Sequence, residues 1–163
     1  MIYIVMGVSG SGKTVVGQKL ARRLGVPFHD GDNFHPQDNI KKMESGRPLN
    51  DRDRRPWLET LARKIAEWHI SGGAVLACSA LKKKYRDLLC SRQNAQFIYL
   101  KGPIPLIAER MADRTGHFMP EKLLESQFEA LEEPSEAITV SIEPPPEEIV
   151  SAILGQLQPK EEG

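Results

Sequence analysis

The stretch that decides the fold is Ile2-Tyr-Ile-Val-Met6 followed by Gly7-Val-Ser-Gly-Ser-Gly-Lys-Thr14. The apolar, β-rich residues at its start predict a buried strand, and the glycine cluster directly after them predicts a tight turn. Behind that turn, apolar residues recur at helical spacing as far as Gly25, which is a natural helix stop. A strand, a glycine-rich loop and a helix in this order are the setting in which the pattern G-x-x-x-x-G-K-[ST] cradles phosphates.

The chemistry of this loop predicts a nucleotide site. Glycines allow positive φ, so successive backbone N–H groups and the helix N-terminus can face an anion. The Lys13 ammonium then reaches the β- and γ-phosphates, and the Thr14 hydroxyl can bind Mg²⁺. A glycine-rich turn that binds nothing is the alternative, but it offers no packing reason for the Lys-Thr pair. The predicted ATP-binding residues of the loop are Gly7, Val8, Ser9, Gly10, Ser11, Gly12, Lys13 and Thr14.

The rest of the chain alternates short apolar segments with helical patterns. Further strands are predicted over 26–29, 74–78, 96–100 and 137–142. Helices are predicted over 35–46, 82–92, 105–113, 121–131 and 147–157, and another runs to residue 70 from a cap at Asp51 or Asp53. This alternation predicts an α/β fold of three layers, a five-stranded parallel sheet with helices on both faces. We expect one domain over 1–158 and a frayed tail over 159–163.

Composition excludes several classes of protein. The chain has 163 residues, of which 22 are basic and 22 acidic, and 40% are hydrophobic, which argues against wholesale disorder and a polybasic partner. No apolar run approaches the roughly 18–20 residues of a membrane helix, and no secretory signal is visible. We therefore expect a cytoplasmic protein without a membrane partner. Cys78 and Cys90 fit neither a disulfide framework nor a zinc pattern.

The neutral total conceals an asymmetry along the chain. Residues 1–120 carry 20 basic and 11 acidic side chains, whereas residues 121–163 carry 2 basic and 11 acidic ones. We expect the fold to bring some of the basic side chains of residues 1–120 together around one cleft. The run Lys82-Lys-Lys84 has no aromatic interleaving and no extended basic helix, so we expect no nucleic-acid partner.

Nine further stretches are more specific to one protein family than the phosphate loop, which many nucleotide-binding proteins share. They are Asp30-Gly-Asp-Asn-Phe-His-Pro36, Asn39-Ile-Lys-Lys-Met43, Gly46-Arg-Pro-Leu-Asn-Asp51, Arg54-Arg-Pro-Trp-Leu58, Cys78-Ser-Ala-Leu-Lys82, Tyr85-Arg86, Tyr99-Leu-Lys-Gly102, Gly116-His-Phe118 and Gln127-Phe-Glu-Ala-Leu131. With them, most of the chain resembles the gluconate kinases, small P-loop kinases related to shikimate and adenylate kinases. The resemblance implies ATP-dependent phosphorylation of D-gluconate at its 6-hydroxyl, giving 6-phospho-D-gluconate and ADP, in a protein that is usually a homodimer.

Two positions depart from the family's usual pattern. Thr14 stands where many relatives carry Ser, which keeps the hydroxyl, and Cys78-Ser-Ala80 stands where a Walker B aspartate is usual. The acidic partner of the metal must therefore come from another strand. By analogy with a similarly placed pair in shikimate kinase, Asp30 would hold a water on Mg²⁺, and Asp32 would accept or orient the proton of the attacking hydroxyl. A pair of turn-forming aspartates is the alternative.

A sugar acid carries a carboxylate and several hydroxyl groups, so its site needs a forked cation and polar side chains. The resemblance favours Arg54 for the carboxylate and Arg47 as the second choice, within an acceptor-binding segment over about 33–60. A solvated arginine at a helix start is the alternative for Arg54. The expected hydroxyl partners are His35, Asn39, Ser79 and Lys82.

Arg110 and Arg114 are one helical turn apart. The resemblance implies a mobile lid over about 113–121, with Arg110 near the adenine or phosphates and Arg114 closing on the transferred phosphoryl group. Surface ion pairs with acidic neighbours are the alternative. A lid would exclude water, which otherwise competes with the sugar acid for the phosphoryl group. The predicted catalytic residues are therefore Lys13, Asp32 and Arg114.

Two other functions stay open on the sequence alone. One is a kinase for another small hydroxy acid such as shikimate, which is disfavoured because Ser79-Ala-Leu81 stands in place of a glycine triplet. The other is a nucleotide-dependent switch with negligible transfer activity. A switch of this kind would be expected to carry large insertions or appended domains that recruit partners, and 163 residues are too few for them.

Overall fold

The computed structural model describes residues 1–47, 49–112 and 121–157. Its strands are β1 (Ile2–Met6), β2 (Phe28–Asp30), β3 (Ala74–Ala77), β4 (Gln96–Lys101) and β5 (Ile138–Ser141). Its helices are α1 (Lys13–Leu24), α2 (Gln37–Glu44), α3 (Asp51–Ile70), α4 (Lys83–Leu89), α5 (Ile104–Ala112), α6 (Glu121–Ala130) and α7 (Pro146–Leu157), with a 3₁₀ helix over Gly31–Phe34. No described helix is both long enough and apolar enough to cross a membrane.

All five strands are parallel and lie in the order β2-β3-β1-β4-β5. Each face of the sheet has its own apolar core. Val5 packs with Leu20 of α1 and with α7 on one face, and Ile4 packs with Leu61 of α3 and Leu89 of α4 on the other. Successive side chains of a strand point to opposite faces, so a strand buried on both faces is a continuous apolar run. The predicted three-layer α/β fold with a five-stranded parallel sheet is confirmed.

This topology places a crevice at the carboxyl edge of the sheet. The chain leaves β1 towards α1 on one face and leaves β3 towards α4 on the other, although the two strands are neighbours. Ligands of open parallel sheets bind outside the strand ends at such points. The backbone N–H of Gly7, after β1, donates to the carbonyl of Ser79, after β3, at 3.3 Å. The two loops therefore border one space.

The start of α2 and the cap of α3 differ from the sequence prediction, whereas the other predicted helix starts agree to within one residue. The helix expected over 35–46 begins only at Gln37, because Pro36 disfavours a helical conformation at His35, which is extended with φ −68° and ψ 139°. The cap expected at Asp51 or Asp53 is Asn50 instead. Its side chain accepts from the N–H of Asp53 at 2.8 Å, and the Asp53 carboxylate accepts from the N–H of Asn50 at 3.0 Å, which is a capping box.

Two predicted segments lie outside the described residues. They are the lid over 113–121, of which only Glu121 is described, and the tail over 159–163. Arg114 belongs to the first of them.

Candidate active site

A cavity of about 830 Å³ opens at the carboxyl edge of the sheet. Its wall combines the phosphate loop, the ends of β2 and β3, the start of α3, and parts of α5 and α6. The predicted site residues on this wall are Ser9, Gly10, Gly12, Lys13, Thr14, Asp30, Asp32, His35, Arg47, Arg54, Ser79 and Lys82. Its size suits small-molecule substrates. The fold thus brings the predicted phosphate loop and most of the predicted acceptor residues to one cavity.

The backbone of the phosphate loop needs its glycines. Gly7 has a φ of 151°, and a Cβ there would lie 2.8 Å from the Ser11 hydroxyl oxygen. Gly10 has a φ of 81°, and a Cβ there would lie 2.5 Å from Cγ of Met111 on α5. Both residues combine a backbone conformation that L side chains rarely adopt with a close neighbour. A larger residue at either position would distort the loop.

Lys13 is the first residue of α1 and reaches back over the loop. Its Nζ donates to the carbonyl oxygens of Gly7 and Val8, both at 3.0 Å. The neighbouring Thr14 is exposed and lines the same cavity. The loop therefore presents the Lys13 ammonium and the Thr14 hydroxyl to the cavity, which is the chemistry that MgATP requires.

Gln127 of α6 is a loop contact that the sequence reasoning missed. Its Oε1 accepts from the N–H of Ser9 at 2.7 Å, and its Nε2 donates to the Ser9 hydroxyl at 3.0 Å. Gln127 belongs to a stretch that carried the family resemblance, but nothing in the sequence pairs it with a residue 118 positions away. The tip of the loop is thus hydrogen-bonded to Gln127 of α6 and lies against Met111 of α5.

Asp30 and Asp32 lie where β2 ends. Oδ1 of Asp30 accepts from the N–H of Asp32 at 2.9 Å, and Nε1 of Trp57 donates to the Gly31 carbonyl at 2.7 Å. Burial raises the pKa of Asp30. The side chain of Asp32 is 76% exposed. Asp30 therefore stabilises the turn as well as lining the cavity, and Asp32 presents its carboxylate to the solvent-filled space.

His35 lies beside this turn with its ring almost fully buried. The imidazole stacks on Trp57, with ring centres 4.0 Å apart and planes 18° apart, and its Nε2 lies 3.9 Å from Oδ1 of Asp32. Burial, assisted by the nearby Arg54 charge, lowers the pKa of His35 to about 4. His35 is therefore a neutral side chain at physiological pH.

Asn39 does not line the cavity. Its Nδ2 donates to the backbone carbonyl of Asp53 at 2.8 Å and lies 3.2 Å from Nδ1 of His35, which can accept when that ring nitrogen carries no proton. An amide nitrogen has two hydrogens, so Nδ2 can donate to both groups. The structure thus places Asn39 behind His35 and off the cavity wall, where the nitrogen of its amide faces protein groups.

Arg54 extends from the first turns of α3 to the cavity wall. Its Nη1 donates to the carbonyl of Leu49 and, at 3.1 Å, to the Tyr85 hydroxyl, and its guanidinium carbon lies 5.3 Å from the Tyr85 ring centre. Among the described residues, no carboxylate forms an ion pair with Arg54. Its charge is therefore held in position by neutral groups and is available to an anionic ligand.

Asp51 organises the neighbouring cations. Its carboxylate accepts from the Tyr85 hydroxyl and from Lys84, and lies 3.5 Å from Nζ of Lys82. The Lys84 and Tyr85 hydrogen bonds hold the pKa of Asp51 well below its ordinary range. Burial and the bond to Asp51 raise the pKa of Tyr85 to about 12, so Tyr85 stays protonated and can donate. Sequence reasoning treated Asp51 only as a helix cap and missed this network.

The remaining predicted residues lie on the cavity wall, away from it, or outside the described residues. Arg47 is exposed on the wall, with its Nε donating to the Ser45 hydroxyl at 3.1 Å, and Ser79 lines the wall after β3. Arg110 is on the last turn of α5 and does not line the cavity, and Arg114 lies outside the described residues.

The cavity wall does not concentrate positive charge in the part of the chain that is described. Its cations are Lys13, Arg47, Arg54 and Lys82, and its carboxylates are Asp30, Asp32, Glu44 and Asp51. The expectation of a positive cleft is therefore not met by these residues. The carboxylates are placed among the cations, where they can pair with them, hold metal-bound water or accept a proton.

The oxygen ligands on the cavity wall suit Mg²⁺ that is bound together with nucleotide phosphates, and they do not resemble a site in which the protein supplies all the ligands. No group of three or more His, Cys, Asp or Glu residues within the described ranges could hold a metal ion. Mg²⁺ usually takes one or two protein ligands and completes its shell with water and substrate phosphates. The Thr14 hydroxyl and the Asp30 carboxylate, which line the cavity with the phosphate loop, match that requirement.

Comparisons with known proteins agree with this geometry. Residues 9–158 match the family model of shikimate kinase. The chain is 45% identical over 159 residues to the thermoresistant gluconokinase of Escherichia coli K12, an alignment that covers 94% of this chain and 91% of the relative. A crystal structure of a gluconokinase from Sinorhizobium meliloti 1021 superposes with a TM-score of 0.87 at 44% identity, covering 94% and 89% of the two chains. The shikimate kinase of Aquifex aeolicus, with a TM-score of 0.62 and 22% identity over 96% of both chains, shares the fold.

Proposed function

The chain belongs to the shikimate-kinase-like family and within it to the gluconokinases, and we propose that it transfers the γ-phosphoryl group of ATP to the 6-hydroxyl of D-gluconate. The products are 6-phospho-D-gluconate and ADP. The observation that carries the proposal is one cavity with two complementary ends. A phosphate loop lies at one end, and Arg54, which has no carboxylate partner among the described residues, lies at the other.

The phosphate loop forms the donor end of the proposed reaction. Phosphoryl transfer depends mainly on positioning and on stabilising the charge of the transferred group, with little covalent work by the protein. The ammonium of Lys13 supplies that stabilisation together with loop N–H groups other than those of Gly7, Ser9 and Ser11, which already donate within the protein. Gln127 keeps Ser9 in place, so the loop needs little rearrangement when ATP binds.

The acceptor end orients the sugar acid. In the proposal Arg54 binds the carboxylate, for which Arg47 is the second choice, and Ser79 and Lys82 contact hydroxyl groups. Asp32 accepts the proton of the 6-hydroxyl as that oxygen bonds to the γ-phosphorus. The bond from the γ-phosphorus to the bridging oxygen breaks at the same time, and ADP leaves.

Magnesium is part of the proposal. Thr14 would bind it directly and Asp30 through a water molecule, since both line the cavity beside the phosphate loop. When bound, the ion neutralises charge on the β- and γ-phosphates.

Three further parts of the proposal rest on the family resemblance. They are a lid over about 113–121 with Arg114 on the transferred phosphoryl group and Arg110 near the nucleotide, a homodimer, and a cytoplasmic location. Light scattering after gel filtration tests the homodimer directly, because a dimer has twice the 18.2 kDa mass of the chain.

Release of ADP in the presence of different acceptors tests the function. Purified protein with MgATP is incubated with gluconate, shikimate, glycerate, AMP or no acceptor, and the phosphorylated product is identified by mass spectrometry. We expect gluconate to raise ADP release far above the blank, with one phosphate per gluconate. Gluconate that gives no more ADP than the blank would refute the assignment. Stimulation by shikimate would point to the other acceptor, and slow hydrolysis with no stimulation to a switch.

A further inference from the structure

The side-chain amide of Asn39 determines where the neutral His35 ring carries its proton. Nδ2 of Asn39 donates to the Asp53 carbonyl at 2.8 Å, and this bond identifies the nitrogen end, because an amide oxygen there would face another oxygen. Nδ2 also lies 3.2 Å from Nδ1 of His35, and an amide nitrogen can only donate, so a hydrogen bond between these two atoms needs an unprotonated Nδ1. Nδ1 must therefore accept, which leaves the ring proton on Nε2.

The groups around Asn39 hold it in this arrangement. Asn39 is 5% exposed, so its amide has little access to water. The carboxylate of Asp53 accepts from Nζ of Lys42 at 2.7 Å and from the N–H of Asn50 at 3.0 Å, which fixes the backbone carbonyl that Asn39 contacts. With Nδ2 held between the Asp53 carbonyl and the His35 ring, the amide of Asn39 has one favoured orientation.

The protonated nitrogen of His35 faces the predicted proton acceptor. Nε2 lies 3.9 Å from Oδ1 of Asp32, which is too long for a direct hydrogen bond. A single hydroxyl oxygen, however, can lie about 2.8 Å from both atoms. Stacking on Trp57 keeps the ring pointing into that gap. The hydroxyl would receive a hydrogen bond from His35 and donate its own hydrogen to Asp32.

We propose that Asn39 is a positioning residue that keeps His35 in its Nε2–H form, so that His35 and Asp32 bind the attacking hydroxyl as a donor and an acceptor. The inference rests on the proposed function, which supplies that hydroxyl from gluconate. One lone pair of the oxygen accepts from His35 and its proton moves to Asp32, so the other lone pair is directed to the γ-phosphorus. The new O–P bond forms, the bond to ADP breaks, and His35 keeps its proton throughout.

The substitution Asn39→Asp tests the proposal, because it keeps the shape of the side chain and replaces the donor by an acceptor. Nitrogen-15 NMR of the histidine rings reads the tautomer in the full chain, and a His35→Gln variant identifies the His35 signals among the four histidines. In the unchanged protein we expect the His35 ring to carry its proton on Nε2 and to have an unprotonated Nδ1. In Asn39→Asp we expect the proton on Nδ1. The kcat with gluconate should fall about 10- to 100-fold while the KM for ATP is unchanged. Asn94→Asp, the same change at an exposed residue, is the control.

Several outcomes would overturn the proposal. They are a proton on Nδ1 in the unchanged protein, an Asn39→Asp variant that keeps the Nε2–H form, and a variant with the proton moved but kcat unaltered. Should Asn39→Asp not fold, His35→Gln is compared with His35→Leu. Gln keeps an N–H donor and should retain at least about 10-fold more kcat than Leu, and equal values would refute the role of the donor. Failure of the proposed function gives a different result, in which the Nε2–H tautomer is present but gluconate is not phosphorylated.

Discussion

The two ends of the cavity are built in different ways. The phosphate end is formed by the consecutive residues Gly7–Thr14 and acts through backbone N–H groups and one ammonium group. The acceptor end takes side chains from separate elements between β2 and α4, and hydrogen bonds such as those among Arg54, Tyr85 and Asp51 hold them in place. A continuous loop obtains its shape from local sequence, whereas the acceptor end depends on tertiary contacts. Substitutions at the two ends should therefore change different steps.

The largest effect is expected at the phosphate end from Lys13→Ala. Loss of the ammonium removes charge stabilisation that matters most in the transition state, so kcat should fall by about 10³-fold or more. The thermal unfolding midpoint should stay close to that of the unchanged protein. Steady-state kinetics and calorimetry measure the two quantities. Lys19→Ala, in the same helix and paired only with an exposed Glu147 among the described residues, is the control and should keep full activity. A normal kcat in Lys13→Ala would show that the ammonium group of the phosphate loop does not take part in the reaction.

At the acceptor end, Arg54→Ala should mainly weaken gluconate binding. A charge-assisted hydrogen bond contributes about 1.5–3 kcal/mol, so the KM for gluconate should rise about 10- to 100-fold while the KM for ATP changes little. Initial rates over a matrix of both substrates separate the two constants. Arg55→Ala is the matched control, because Arg55 is exposed and pairs with Glu59. A pure loss of kcat with gluconate binding intact would take the carboxylate role away from Arg54.

Acid should affect the acceptor end through His35. Burial lowers the pKa of His35 in the folded protein from its ordinary 6.5 to about 4, so as pH falls the unfolded chain takes up the proton first. The stability from neutral His35 is complete above pH 6.5 and is lost progressively as pH falls towards 4. Between about pH 7 and pH 5 this linkage should cost about 2 kcal/mol of unfolding free energy.

Urea denaturation at the two pH values measures this cost. The decrease in unfolding free energy should be smaller in His35→Gln by that amount, while His69→Gln, at an exposed histidine, should follow the unchanged protein. Equal decreases in all three proteins would contradict the assignment of a buried neutral His35.

The smallest effect on the kinetics is expected from substitution of Gln127, the distant residue that contacts the phosphate loop. Gln127→Ala removes two hydrogen bonds that hold Ser9, and a loss of about 0.5–1.5 kcal/mol in ATP binding would raise the KM for ATP about 2- to 10-fold with the KM for gluconate unchanged. Gln93→Ala, in the loop between α4 and β4, is the control. A rise confined to gluconate would place Gln127 at the other end of the cavity.

The sequence predicted the sheet, its parallel strands and the phosphate loop, because each depends on patterns within a few residues. It was less successful at element ends that depend on one local interaction, such as the delayed start of α2 after Pro36 and the cap at Asn50. The contact between Gln127 and Ser9 could not be found in this way, since no local pattern joins two residues 118 positions apart.

By itself the sequence determined the donor chemistry of this protein and, through its resemblance to the gluconate kinases, the class of acceptor. The donor chemistry follows from residue types at fixed spacing, which the backbone of a strand, loop and helix converts directly into geometry, whereas the class of acceptor is what the resemblance implies. Only the tertiary structure decided which polar side chains reach the cavity. Asn39 and His35 both looked suitable for binding a hydroxyl, yet the amide nitrogen of Asn39 faces protein groups behind His35, and Asn39 does not line the cavity. A side chain's free donors depend on its neighbours in space, and a linear pattern does not contain them.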